Sequence, residues 1–267
     1  MAREDSIARL VDRLELPFNS LGVDPYGISK WHLRVFFHTL GFLYRTYFRV
    51  QAFGVENVPD RGRAMLIGNH SGGVAIDGMM VIASMLLEKE PPRLAQGMAE
   101  KFLAGLPVAS LWSSRTGQFT GLPEHAIRLL EDDRLLLVFP EGARGTAKLY
   151  KDRYSLVDFG TGFMRMALKT KTPIVPVGVV GAEEQSPALW HVRSVAKVLG
   201  IPYLPVTPTG VPFPLPTKYR IYFGEPMTFT GTADEDDQEL EKKVQSVRDR
   251  IQGMLDVGVK ERQHVFW

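Results

Sequence analysis

The chain has 267 residues, 45% of them hydrophobic, enough to bury a substantial core as one domain. Lys and Arg number 32 against 30 Asp and Glu, a formal net charge of +2, so composition gives no nucleic-acid footprint. There is no cysteine, which excludes disulfides, thiolate metal sites and a cysteine nucleophile.

Residues 1–10 mix both charges and lack an apolar stretch, so no secretory signal is expected and a cytoplasmic location is the default. Ile7, Leu10, Val11 and Leu14 recur at helical spacing and predict a short amphipathic helix over 5–15. A connection marked by Pro17 and Gly27 leads to residues 29–48, where Trp31, Leu33, Phe36, Phe37, Leu40, Phe42, Tyr44 and Phe48 crowd nearly every helix face. Arg34, His38 and Arg45 interrupt that run, so it is too polar to span a bilayer. Two readings stand for it: a helix with its aromatics in the core, or an interfacial helix with aromatics in lipid and arginines at anionic headgroups. A mixture of the two is expected.

Residues 49–54 predict a first strand, 57–62 a turn, and Ala64 to Ile67 a short buried strand followed by a helix over 78–88. A strand is expected at 94–98, a short helix at 100–104, and a loop carrying Arg115 over 111–121. Pro123 suits the first turn of a helix that leads into a strand over 135–139. Lys148, Lys151 and Arg153 then form a basic cluster, followed by a helix over 160–171 and a strand over 174–180. A helix is expected over 189–199. Six prolines between 200 and 217 mark a surface loop. A strand over 219–223 and an amphipathic helix on Leu240, Val244, Val247, Ile251 and Leu255 complete the chain. Strands alternating with helices predict an α/β fold, with a mixed, largely parallel sheet flanked by helices. An N-terminal helical segment (1–48) precedes this α/β domain (49–267).

Chemistry concentrates at two strand ends. The first reads Asn69-His70-Ser71-Gly72-Gly73-Val74-Ala75-Ile76-Asp77. Open α/β sheets bind ligands outside the carboxyl ends of their strands. An imidazole there, steered by a carboxylate, can take a proton from a hydroxyl near neutral pH. The plainer alternative is a loop histidine and a helix-capping aspartate. On a continuous helix the two residues would stand about 10.5 Å apart, so contact requires a loop, which Gly72 and Gly73 can form. The second strand end reads Phe139-Pro140-Glu141-Gly142-Ala143-Arg144. Six scattered histidines with no H-x-x-x-H pair, and no G-x-x-x-x-G-K-[ST] loop, give no support for a metal or a nucleotide cofactor.

Asn-His with a nearby Asp, then Phe-Pro-Glu-Gly-x-Arg, then the Pro-bearing strand at Pro176, resembles the glycerolipid and lysophospholipid acyltransferase family over roughly residues 50 to 230. The family's first block is usually H-x4-D, so H-x6-D here is a departure of two residues. The resemblance implies acyl transfer from acyl-CoA or acyl carrier protein to a lipid hydroxyl, with His70 as base and Asp77 as its orienter. It places Glu141, Gly142 and Arg144 at the acceptor, with Glu141 binding a hydroxyl or pairing with Arg144. The second block has its glycine at Gly117 but lacks the usual arginine, for which Arg115 is the candidate substitute. That loss turns the expected acceptor away from glycerol 3-phosphate or lysophosphatidate, towards a lysophospholipid, a mono- or diacylglycerol or another lipid alcohol. The stretch from Tyr150 to Glu184 looks like the neutral-lipid branch. Such an enzyme would work at the inner face of the membrane, touching it peripherally through 29–48.

Two other functional classes compete. A thioesterase or lipid hydrolase would direct the same His–Asp pair at water, although the G-x-S-x-G elbow of serine hydrolases is absent. A non-catalytic lipid-binding membrane protein would keep the fold with Asp77 pointing away from His70.

Overall fold

The structure, a computed structural model, describes residues 4–71, 76–99, 107–120, 122–192, 205–208 and 213–267. Helices α1 (Glu4–Asp12) and α2 (Lys30–Phe42) open the chain, and α2 continues as a π-helical turn over Leu43–Tyr47. The inward faces of both helices join one cluster with the next helix and the sheet: Ile7, Val11, Leu33, Phe37, Leu40 and Tyr44 are all buried there. Gly41 permits the close approach, since a Cβ there would lie 3.2 Å from the Ile7 side chain.

The α/β body follows as β1 (Gln51–Phe53), β2 (Ala64–Gly68), α3 (Ile76–Leu87), β3 (Ala95–Ala99), α4 (Pro107–Arg115), β4 (Phe119–Thr120), α5 (Pro123–Glu131) and β5 (Leu135–Val138). It continues with α6 (Ala143–Thr146), α7 (Gly162–Thr170), β6 (Ile174–Val180), β7 (Trp190–His191), β8 (Pro205–Val206), β9 (Arg220–Phe223) and the long α8 (Asp237–Glu261). Seven strands form one sheet in the order β1-β9-β6-β2-β5-β3-β4, parallel except where β6 meets β9. Alternating residues of the buried strands face opposite layers. Ala64 and Leu66 belong to the cluster with α1, α2 and α3, whereas Met65 and Ile67 pack with α5, α7 and α8. Both faces are therefore covered, which is why β2 and β5 read as unbroken apolar runs. The periodic residues of α8, Leu240 to Leu255, are its buried stripe.

The structure departs from the sequence reading in two places. Within the loop expected over 111–121, residues 111–115 are helical and Phe119–Thr120 pairs with β3 as a strand. Leu111 and Trp112 are exposed, and Pro107 at the first position of α4 is its helix signal in the sequence. Trp190–His191 pairs with Pro205–Val206 as a two-stranded ribbon where a helix and a proline-rich loop are expected. The rest of that expected helix, 193–199, and the helix expected at 100–104 lie outside the described residues.

Candidate active site

The site is a consequence of strand register. β2 and β5 are parallel neighbours near the middle of the sheet, with Ile67 opposite Val138. Three residues beyond each partner stand His70 and Glu141, so equal offsets bring the two motifs together at the carboxyl ends. Glu141 Oε1 accepts the main-chain N–H of His70 at 2.8 Å, and its Oε2 accepts that of Val157 at 3.0 Å. Asn69 clamps the other side, its side-chain amide exchanging hydrogen bonds with the N–H and C=O of Val179, at 2.7 and 3.1 Å. It thereby extends the β2–β6 ladder by one side chain.

Asp77 lies in the first turn of α3 and is fully buried. Its Oδ2 stands 2.7 Å from His70 Nδ1 and accepts the N–H and hydroxyl of Ser71 at 2.8 and 3.0 Å. Its Oδ1 accepts Gly78 N–H at 2.8 Å. Burial alone would raise this carboxyl. The His70 charge and hydrogen bond, with the N–H groups of Ser71 and Gly78, outweigh burial and hold it below the ordinary aspartate value. An ionised carboxylate only accepts, so Nδ1 carries the hydrogen and Nε2 is the basic nitrogen. His70 lies outside any helix and Asp77 within α3, so the two do not share a helix, and the longer spacing does not separate them. The glycines proposed to shape the intervening loop, Gly72 and Gly73, lie outside the described residues.

The imidazole is stacked on Phe139, 4.3 Å between centroids and 8° from parallel. Gly68 and Gly78 lie against opposite edges of that ring, and a Cβ on either would come within 3.1 Å of it. Gly145 is equally tight: a Cβ there would lie 2.7 Å from Glu141 Cβ and 3.1 Å from His70 Cβ. None of Asn69, Phe139, Gly68, Gly78 and Gly145 is singled out by the sequence reading as a site residue. Phe139 and the glycines act through packing and Asn69 through its hydrogen bonds to β6, neither of which a motif displays.

The residues expected at the acceptor separate. Gly142 takes φ +55° and ψ −149°, a conformation essentially confined to glycine, and turns the chain after β5. Glu141 is 1% exposed and directed at the His70 main chain, and it has no ion pair with Arg144. Its cation is Lys148, 3.5 Å away. Arg144 is exposed and donates to the Asp158 carbonyl at 2.9 Å. Arg115 donates to the Gly27 carbonyl at 3.1 Å and accepts Ser29 N–H through its own carbonyl, tying α4 to the start of α2. Lys148, one of the three residues of the expected basic cluster, is buried and 2.8 Å from Glu183. Among the described residues, no group of three or more His, Asp or Glu could hold a metal ion.

A carboxylate-backed imidazole at the mouth of the sheet can move a proton. Comparison with known proteins gives the family. A family model described as Acyltransferase matches residues 49–180. Over 257 residues the chain is 35% identical to an uncharacterized protein of Mycobacterium tuberculosis, covering 92% of this chain and 72% of that one. It is 27% identical over 220 residues to the human DGAT1/2-independent enzyme synthesizing storage lipids, covering 80% of this chain and 66% of the human one. The crystal structure of the 1-acyl-sn-glycerophosphate (LPA) acyltransferase PlsC from Thermotoga maritima superposes with a TM-score of 0.57 at 19% identity, covering 88% of this chain and 83% of that one. At that identity the likeness is one of fold.

Proposed function

The chain belongs to the phospholipid and glycerol acyltransferase superfamily, and from that premise we propose that it moves a fatty acyl group from acyl-CoA or acyl carrier protein to a hydroxyl of a neutral glycerolipid or lysophospholipid. The observation that carries the proposal is the 2.7 Å contact between His70 Nδ1 and buried Asp77, at the carboxyl ends of β2 and β5. In this mechanism Nε2 of His70 takes the proton of the acceptor hydroxyl as its oxygen attacks the thioester carbonyl. The tetrahedral intermediate then collapses with cleavage of the C–S bond, and the proton passes from Nε2 to the departing thiolate. Asp77 holds the tautomer and stabilises the imidazolium, as the acid of a triad does without the serine. A base positioned in this way contributes about 10²–10⁴-fold. Glu141 positions the His70 main chain. Exposed Arg144 is the cation available to an acceptor headgroup or to the phosphates of CoA.

No helix among the described residues is long and apolar enough to cross a membrane. The acceptor is bilayer-resident, so we assign docking to the outward face of α2. On this reading the exposed residues of that face make the contact. Phe37 is in the core and Phe36 half-buried, while Trp31, Val35 and Phe42 are exposed, with Leu111 and Trp112 of the neighbouring α4. Arg34 is paired with Asp12 at 2.9 Å, which leaves exposed Arg45 as the better headgroup contact.

The test is incubation of the purified protein with radiolabelled acyl-CoA or acyl carrier protein and vesicles holding diacylglycerol, monoacylglycerol, lysophosphatidylcholine or lysophosphatidate, with products resolved by chromatography. Labelled ester on a neutral acceptor, lost in a folded His70→Ala protein, is the expected result. Release of free fatty acid alone would make the protein a thioesterase. Transfer surviving His70→Ala would overturn the base.

A further inference from the structure

Behind Glu141 lies a set of charges that the mechanism above does not use. Lys148 Nζ sits between two carboxylates, 2.8 Å from Glu183 Oε1 and 3.5 Å from Glu141 Oε2, with its side chain 5% exposed. The second oxygen of Glu183 accepts the N–H of Tyr154 at 3.0 Å. Tyr154 is held at φ +61°, which a bulky side chain rarely adopts. That strained backbone delivers its N–H to Glu183 and its phenol to Glu184, where the phenol oxygen also accepts Gly181 N–H at 2.8 Å. Arg262 donates to both Glu184 and the Tyr154 oxygen, and Arg153 stands 4.0 Å from Glu184. The chain of contacts thus runs from the His70 main chain through Glu141, Lys148 and Glu183 to a strained tyrosine.

Stability does not explain this arrangement. Burial pushes the Glu183 carboxyl up to about 7 although Lys148 opposes it, so its negative charge is costly where it stands. Buried ion pairs give weak net stabilisation compared with apolar packing of the same volume. What the pair does supply is a fixed cation at the oxygen of Glu141 opposite the one that grips His70.

We propose that Lys148, anchored by Glu183, is a positioning residue for acyl transfer: it holds the Glu141 carboxylate oriented, and through it the His70 main chain and ring. The inference rests on His70 being the base, and its test includes a readout that needs no turnover. Lys148→Met, Lys148→Arg, Glu183→Gln and the double variant Lys148→Met/Glu183→Gln would be assayed with oleoyl-CoA and vesicles containing dioleoylglycerol. Exchange of the His70 amide would be followed by NMR alongside the core amides of Val247 and Ile251.

Lys148→Met should lower kcat about 10- to 100-fold with KM for oleoyl-CoA within about twofold, within the range assigned to a positioned base. It should also speed His70 exchange more than about tenfold relative to those core amides, the measure of a lost local hydrogen bond. Lys148→Arg should restore most of both. Glu183→Gln keeps the shape and an acceptor for Tyr154, so it remains informative if Lys148→Met fails to fold. It should lower kcat several-fold in the same pattern. The double variant separates the two roles: a pair that merely neutralises itself would recover full kcat when both charges go, and that recovery would overturn the proposal. Unchanged kcat in Lys148→Met, or faster exchange at His70 only in step with Val247 and Ile251, would also overturn it. If the parent shows no acyl transfer, the reading of the site fails, while the His70 exchange still decides whether Lys148 acts on His70.

Discussion

Replacing Asp77 by Asn tests the site most sharply, because it keeps the shape and removes one acceptor and one charge. The carboxylate accepts four hydrogen bonds: His70 Nδ1, Ser71 N–H and Ser71 hydroxyl on Oδ2, and Gly78 N–H on Oδ1. With its oxygen on the Oδ2 side, the introduced amide keeps three and turns its NH2 against Gly78 N–H. Turned the other way, it opposes both His70 Nδ1–H and Ser71 N–H. The first orientation therefore wins, at the cost of one unsatisfied buried donor, about 1–3 kcal/mol. The Asp77 carboxyl is held below its ordinary value, so its contribution to stability is present above about pH 3.8 and disappears as pH falls through the folded-state value. The destabilisation should accordingly be full at pH 7 in urea denaturation and shrink toward pH 3. Because the amide oxygen still accepts from Nδ1, the Nε2 lone pair survives, and only the charge that stabilises the imidazolium is lost. An Asn that switches the tautomer costs a serine triad about 10⁴-fold. Keeping the tautomer should limit the fall in kcat to between about 10² and 10⁴. Initial rates of labelled acyl transfer should show this with KM for both substrates unchanged. A folded Asp77→Asn protein with kcat within threefold of the parent, on the order of half a kcal/mol, would reduce Asp77 to a helix-terminus residue and refute the mechanism.

Other perturbations reach the same site from different sides. Gly145→Ala puts a Cβ 2.7 Å from Glu141 Cβ and 3.1 Å from His70 Cβ, so thermal denaturation should show a loss of about 1–3 kcal/mol and kcat should fall more than about tenfold. An unchanged kcat would mean that the contact between the two motifs is loose. Glu183 holds its proton to about pH 7 when folded and releases it near 4.5 when unfolded, so this group's contribution to stability falls as pH rises between those values. Glu183→Gln, which cannot ionise, should gain on the parent by about 2–3 kcal/mol between pH 5 and pH 8, and a pH-independent difference would refute the shift. Trp31→Ser/Phe42→Ser should fold as the parent does and float poorly with anionic liposomes, because both side chains are exposed on α2; equal flotation would place docking elsewhere.

Most of the fold was legible because each element's burial pattern is written in its own residues. The 3.6-residue stripe of α8 and the unbroken apolar runs of β2, β5 and β6 identify themselves. α4 did not, since two of its apolar residues, Leu111 and Trp112, are exposed. The sequence reading also could not divide the aromatics of 29–48 between core and surface, because both faces of α2 are apolar. The division depends on where α1 and α3 pack, burying Leu33, Phe37 and Leu40 and leaving Trp31 and Phe42 outside.

At the site, the residue types were legible and their partners were not. Linear spacing leaves contact between His70 and Asp77 undecided, since a helix through both would have kept them apart. His70 stands outside any helix and Asp77 in the first turn of α3, and that placement lets the two side chains meet. The pairing of Glu141 is a clearer failure of local reasoning. Arg144, three residues on, is the near cation in sequence, but Gly142 at φ +55° redirects the chain and leaves Arg144 exposed. Lys148, a full turn further, folds back into contact and meets Glu183 from beyond β6, a residue no local pattern would join to it. Register carries the inference further than motif does. Once β2 and β5 are known to be parallel with Ile67 opposite Val138, His70 and Glu141 must meet, and any residue that fixes one fixes the other.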